Sequence, residues 1–103
     1  MSVITTLRAK ADPDAVEAYA ASNPEVFQQA GALAREHCVI AHRFYGGNGD
    51  VMVIDEWPNE ESFQAFWEAA GSIVGPMMAA IGAGEPTVEF WNRLETHDEI
   101  GWD

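Results

Sequence analysis

Residues 38–57, CVIAHRFYGGNGDVMVIDEW, are the stretch that most constrains the fold of this chain. The central GGNGD is typical of a tight hairpin turn, because Gly and Asn tolerate positive φ. In the two flanking predicted strands, large apolar side chains point to both faces. The first strand alternates Cys38, Ile40, His42 and Phe44 with Val39, Ala41, Arg43 and Tyr45, and the second alternates Val51 and Val53 with Met52 and Ile54. Both faces of the sheet are therefore expected to be covered.

The segment before this hairpin predicts a strand and a helical region. Residues 2–10 carry enough β-branched side chains for a strand. Residues 13–36 place apolar side chains at helical spacing, with Asp12 as the predicted cap. Pro24 interrupts this region, because proline has no N–H and disfavours helix at the preceding residue. Two helical segments are expected, the second capped by Asn23.

The segment after the hairpin predicts another helix and a last strand. Asn59 is the predicted cap of the helix. Gly71 and Ser72 are predicted to end it, with a short separate helix from Pro76. Residues 87–96 predict the fourth strand.

The resulting order, β-α-β-β-α-β, is typical of the α+β class with a ferredoxin-like split βαβ arrangement. It predicts one domain over residues 1–103, with a four-stranded antiparallel sheet and helices on one face. A second copy of the sheet is the simplest cover for the other face. We therefore expect a homodimer.

Composition excludes several classes of partner. The chain has five basic and 17 acidic residues, a formal net charge of −12. This balance argues against nucleic acid and against an anionic membrane surface. It also argues against an RNA-recognition domain, which shares the same element order but needs an aromatic platform on its sheet. No apolar run approaches the roughly 20 residues of a membrane span. A cytoplasmic protein is the expectation.

Residues 37–68, HCVIAHRFYGGNGDVMVIDEWPNEESFQAFWE, resemble the middle of the antibiotic-biosynthesis-monooxygenase-like family of the dimeric α+β barrel superfamily. In that family a small residue or Cys opens strand two, and a hairpin leads to an apolar strand that ends in acid-Trp. The resemblance implies two sheets packed back to back in a homodimer, and a pocket between sheet and helices in each subunit. Some relatives oxidise polycyclic aromatic phenols with O₂ and no cofactor, some degrade haem, and many have no known activity.

The chain also departs from that family. Many relatives carry a histidine late in the second helix or just after it, whereas EAAGSIVGPMMAAI here contains none. Haem ligation is therefore not expected. The three histidines of the chain lack tight metal-ligand spacing, so neither a metal site nor any other cofactor is predicted.

His42 is the predicted catalytic residue, because a histidine among apolar neighbours can act as a general base near neutral pH. A core histidine with its hydrogen bonds satisfied is the structural alternative. The predicted substrate-binding residues are aromatic or sulfur-containing: Trp67, Phe66, Tyr19 and Met77. Core packing is the alternative for each of them. We expect Trp67 to reach a cavity, and Trp91 to pack in the sheet or the dimer seam.

Other reactive side chains are predicted to be structural. Asp55 and Glu56 should face opposite ways, so they cannot act as a catalytic acid pair. His37 is expected to cap helix carbonyls, and Cys38 to be a buried, inert thiol.

Two functions stay open from the sequence. One is a cofactor-independent monooxygenase acting on a small aromatic or polyketide-like molecule. The other is a non-catalytic ligand-binding or structural homodimer of the same fold.

Overall fold

A computed structural model describes residues 1–101 of the chain. Its elements are β1 (Val3–Lys10), α1 (Pro13–Ser22), α2 (Pro24–Glu36), β2 (Ala41–Gly47), β3 (Asp50–Trp57), α3 (Glu60–Ala80) and β4 (Thr87–Asn92). The strands form one antiparallel four-stranded sheet in the order β2-β3-β1-β4. The predicted α+β, ferredoxin-like arrangement is confirmed, with β4 shorter than the predicted 87–96.

The turn between β2 and β3 sets the register of this part of the sheet. Asn48 and Gly49 have φ values of 57° and 75°, the left-handed pair that suits a two-residue hairpin turn. Gly47 therefore pairs with Asp50, and the ladder continues until His42 lies opposite Asp55. This last pairing brings the imidazole of His42 next to the carboxylate of Asp55.

The break between α1 and α2 falls at Asn23, as predicted. Asn23 occupies the predicted N-cap position of α2, but its side chain makes no capping bond to that helix. Its Nδ2 instead donates to the Tyr19 carbonyl at 3.1 Å, and its backbone N–H donates to the same carbonyl at 2.8 Å. Asn23 thus satisfies an unpaired carbonyl at the end of α1.

Cys38 lies in the turn after α2, and the predictions of a strand position and a buried thiol are both wrong. It is exposed and has φ of 69°. The Cys38 N–H donates to the Arg35 carbonyl and the Val39 N–H to the Ala34 carbonyl, each at 3.0 Å. These two bonds form a Schellman motif, in which glycine usually occupies the left-handed position.

Helix α3 runs without interruption from Glu60 to Ala80, so the predicted break at Gly71 and Ser72 is wrong. A glycine inside a helix costs only about 1 kcal/mol relative to alanine, and buried Phe63 and Ala70 hold the helix against the rest of the fold. Pro76 lies within the helix. The predicted cap is confirmed, since Asn59 Oδ1 accepts a hydrogen bond from the Ser62 N–H at 2.8 Å.

The two faces of the sheet have different surroundings. The inner face packs on the helices around Trp57, which is fully buried at 0 % exposure, and Phe63. The opposite side, called the outer face below, carries Ile4, Thr6, Tyr45, Met52, Ile54 and Trp91. Phe90 packs inward, whereas Trp91 is 51 % exposed and donates from Nε1 to Thr6 Oγ1 at 2.9 Å. Within residues 1–101, no helix is long and apolar enough to cross a membrane.

Candidate functional site

A cavity of about 520 Å³ lies between the inner face of the sheet and the helices. Its volume falls within the roughly 300–1,000 Å³ of small-molecule sites. The lining is mainly aliphatic, aromatic and thioether groups. It includes Leu7, Ala9, Phe27, Ala30, Gly31, Ala34, Phe44, Val53, Phe66, Trp67, Val74, Met77 and Met78.

Small side chains on α2 keep this space open. Ala30, Gly31 and Ala34 are cavity-lining residues on one side of the helix, at the three- and four-residue spacings that share a helix face. A Cβ atom placed on Gly31 would meet no other atom within 4 Å. The width of the cavity therefore depends on the sequence of α2.

His42 and Asp55 form a hydrogen-bonded pair in the cavity wall. His42 Nδ1 lies 2.6 Å from Asp55 Oδ1. The Asp55 side chain is 9 % exposed and that of His42 is 48 % exposed. An ionised carboxylate can only accept hydrogen bonds, so Nδ1 carries a proton and donates it to Asp55. In the neutral imidazole, Nε2 is then the nitrogen with a free lone pair.

An aromatic ring limits the orientation of this imidazole. The Phe44 ring meets His42 edge-on, with ring centroids 5.2 Å apart and planes at 88°. Together with the Asp55 bond, this contact restrains the imidazole at the rim of an apolar cavity. Such a group can accept a proton from a molecule bound in the cavity.

The described part of the lining includes no Ser, Thr, Cys or Tyr side chain. A histidine–aspartate pair without a neighbouring hydroxyl or thiol has no protein nucleophile to activate. The chemistry available to the pair is therefore proton transfer to and from a bound molecule.

Four of the five predicted site residues line the cavity: His42, Phe66, Trp67 and Met77. Trp67 also stacks on Phe63, with ring centroids 5.8 Å apart and planes at 20°. Tyr19 is not part of the lining, and its ring packs instead against Phe27 at a centroid distance of 6.2 Å.

Sequence reasoning missed Asp55, which it treated as structural. The prediction that Asp55 and Glu56 face opposite ways is confirmed: Asp55 bonds His42, whereas Glu56 Oε2 accepts a hydrogen bond from Ser2 Oγ at 2.6 Å. The signal that could have revealed Asp55 is the hairpin register. His37 has its predicted capping role, with Nδ1 3.0 Å from the Leu33 carbonyl oxygen.

No family model and no curated protein sequence matches the chain. Solved structures do match it in fold. One is an antibiotic biosynthesis monooxygenase, at a TM-score of 0.64 and 14% identity, over 90% of this chain and 99% of the other. Another is SnoaB, a cofactor-independent oxygenase from Streptomyces nogalater, at a TM-score of 0.61 and 15% identity, over 95% of this chain and 98% of the other. A third is a dimeric ferredoxin-like protein from an uncultured marine organism, at a TM-score of 0.67 and 10% identity, over 96% of this chain and 93% of the other.

These likenesses extend over almost the whole of each chain, but at identities that establish the fold alone. The resemblance seen in residues 37–68 is thus confirmed by structure. The chain has the ferredoxin-like α+β fold of the antibiotic biosynthesis monooxygenase structures.

Proposed function

We propose that the protein is a cofactor-independent monooxygenase acting on a small, mainly apolar ring compound with an acidic C–H group. The observation that carries this proposal is the His42–Asp55 pair in the wall of an apolar cavity. The same fold in SnoaB, a cofactor-independent oxygenase, gives it further support.

The reaction begins with proton transfer to His42. Its Nε2 takes a proton from a ring CH₂ group, and Asp55 stabilises the imidazolium that forms. The electron pair left on carbon is delocalised into the ring system. Because the cavity walls are apolar, little water competes for this anion, and O₂, itself apolar, can enter.

Oxygen then accepts the electrons of the carbanion. A C–O bond forms, and the terminal peroxide oxygen takes the proton back from His42. Loss of the second C–H proton breaks the O–O bond, leaving a ring ketone and water. In sum, CH₂ and O₂ become C=O and H₂O, and both oxidising equivalents come from O₂.

We infer that the active form is a homodimer in which the outer face meets the same face of a second copy. Ile54 and Met52 lie on central strand β3, with the exposed ring of Tyr45 beside Met52. The exposed ring of Trp91 lies on edge strand β4, beside Ile4 of central strand β1. A stable pair of this kind buries about 2,000 Å² or more in total. The existence of a dimeric ferredoxin-like protein with this fold supports the inference.

Oxygen uptake with an anthrone-like ring ketone tests the proposed reaction. His42→Ala should lower kcat roughly a hundredfold or more, because a positioned general base contributes about 10²–10⁴. His97→Ala, in the exposed segment after β4, is the matched control and should retain full activity. Added imidazole should restore part of the activity of His42→Ala, since a small base can enter the space left behind.

The alternative is a non-catalytic ligand-binding dimer. It would be favoured if ring compounds perturb the fluorescence of Trp67 in the cavity wall while none supports O₂ uptake. Trp67→Ala should weaken ligand binding more than it lowers the free energy of unfolding, because Trp67 is only half-buried. If no ring compound binds, both functions proposed for the cavity are wrong.

A further inference from the structure

Arg35 is the one ionisable residue of the cavity lining that the proposed reaction leaves unused. Within residues 1–101, three lining residues can carry charge: Arg35, His42 and Asp55. His42 and Asp55 bind each other. Arg35 forms no ion pair with any of the described residues, unlike Arg8 with Asp50 or Arg93 with Glu99.

Lys10 and Arg43 likewise form no ion pair with the described residues. What distinguishes Arg35 from them is its position in the cavity lining. Arg35 is exposed and lies in the last turn of α2, where its charge favours the negative end of the helix dipole. That structural role does not require the side chain to border an apolar cavity.

Arg35 lies on the same face of α2 as other residues that line the cavity. Phe27, Gly31 and Arg35 all line the cavity and are four residues apart, so they follow one another along one face of the helix. The face begins with an aromatic ring, continues over the open space at Gly31, and ends at an exposed cation. A molecule lying along it would meet apolar surface first and the guanidinium at its end.

We propose that the cavity binds an amphipathic monoanion, with an apolar ring body against α2 and a carboxylate- or sulfonate-like group on Arg35. This deepens the proposed function, because it names the class of molecule that the same cavity takes. Arginine is well suited to hold such a group, because its planar guanidinium donates two parallel hydrogen bonds to it.

Charge makes this preference dependent on Arg35. The formal charge of −12 repels an approaching anion, and the Asp55 carboxylate is already engaged by His42. Among the described lining residues, Arg35 is thus the only permanent cation that could offset the repulsion. Without it, the site would favour neutral ring compounds.

Two fluorescent probes of nearly identical shape test the proposal: 1-anilinonaphthalene-8-sulfonate, an anion, and N-phenyl-1-naphthylamine, its neutral counterpart without the sulfonate. The full chain is titrated with each. Arg35→Gln should weaken binding of the anionic probe roughly five- to tenfold, as expected for an exposed charge-assisted contact, and leave the neutral probe unchanged. Arg93→Gln makes the same substitution outside the cavity lining and should change neither affinity.

A further variant locates the probes. Gly31→Leu fills the open space and should weaken both probes equally, which places them in the cavity rather than on the outer face. The proposal is overturned if Arg35→Gln affects both probes alike, if Arg93→Gln has the same effect on the anion, or if Gly31→Leu affects neither probe. These binding results do not depend on turnover. A failure of His42→Ala to reduce O₂ uptake would sink the proposed reaction and leave the anion preference intact.

Discussion

His42 Nδ1 lies 2.6 Å from Asp55 Oδ1 across the β2–β3 ladder, where the two residues are direct partners. Strand pairing brings a half-exposed imidazole and a buried carboxylate together without any loop. A base held by regular sheet structure needs little reorganisation before it reacts. In the proposed reaction, Asp55 therefore acts through the orientation and tautomer of His42.

Asp55→Asn should lower kcat by roughly 10- to 100-fold with little change in KM. The negative charge of Asp55 stabilises His42 only once His42 has accepted the proton, so its removal affects the chemical step and not substrate binding. The amide can also donate to Nδ1 and stabilise the wrong tautomer. Nitrogen NMR of His42 would report that tautomer directly. In the His42→Ala background, Asp55→Asn should cause no further loss. Additive losses would mean that Asp55 acts independently of His42.

The register of the β2–β3 hairpin could have been predicted from the sequence. Asn48-Gly49 predicts a two-residue turn; that turn pairs Gly47 with Asp50, and counting along both strands then places His42 opposite Asp55. The fold and four residues of the cavity lining, His42, Phe66, Trp67 and Met77, also follow from residue patterns. The alternation of side chains within a single strand does not reveal Asp55 as the partner of His42, because that pairing exists only across the two strands.

Other features depend on packing that no local pattern contains. The glycines and Pro76 suggest a broken helix, yet α3 is continuous, and the half after Gly71 places Val74, Met77 and Met78 against the cavity. The cavity exists because Ala30, Gly31 and Ala34 are too small to fill the space beneath α2. Small residues at helical spacing are equally compatible with a helix packed tightly on the sheet. The sequence alone therefore cannot distinguish a cavity from tight packing.

Gly31 offers a direct test of whether this open space is functional. Gly31→Ala should raise the free energy of unfolding by about 0.5–1 kcal/mol, because alanine is the better helix former and its Cβ meets no atom. Gly31→Leu should fold equally well but reduce ligand affinity and O₂ uptake at least tenfold, since its side chain occupies the cavity. Urea denaturation and ligand titration on both variants provide the measurements. Full affinity in a folded Leu variant would show that the ligand binds elsewhere.

Gly46 and Gly47 are neighbours in β2 with opposite surroundings. A Cβ atom on Gly46 would lie 2.7 Å from Pro13 Cβ, whereas one on Gly47 would meet nothing within 4 Å. Gly46→Ala should therefore lower the free energy of unfolding by about 1–3 kcal/mol, as overpacking does. Gly47→Ala should leave it unchanged or raise it by up to about 1 kcal/mol. Equal effects of the two substitutions in urea denaturation would contradict the close packing of α1 on β2.

Cys38 occupies a left-handed position that favours glycine. Its φ of 69° costs an L-residue about 1–2 kcal/mol, whereas glycine adds about 0.5–1 kcal/mol of chain entropy to the unfolded state. Cys38→Gly should therefore stabilise the protein by about 0.5–1 kcal/mol. Cys38→Ala keeps the backbone cost and should match the wild type. A less stable glycine variant would argue against the Schellman turn between α2 and β2.

The outer face makes the dimer testable with a single charge. Ile54 lies on central strand β3, directly opposite Thr6 and Arg43, so Ile54→Lys would place an ammonium group in the middle of the inferred interface. Burying an unpaired charge costs several kcal/mol, and light scattering at micromolar concentration should then detect a single chain of 11.3 kDa. Gln64→Lys adds the same charge on the exposed side of α3 and should leave the dimer intact. A wild type that already has the mass of one chain would exclude the dimer, and an Ile54→Lys variant that remains dimeric would place the interface elsewhere.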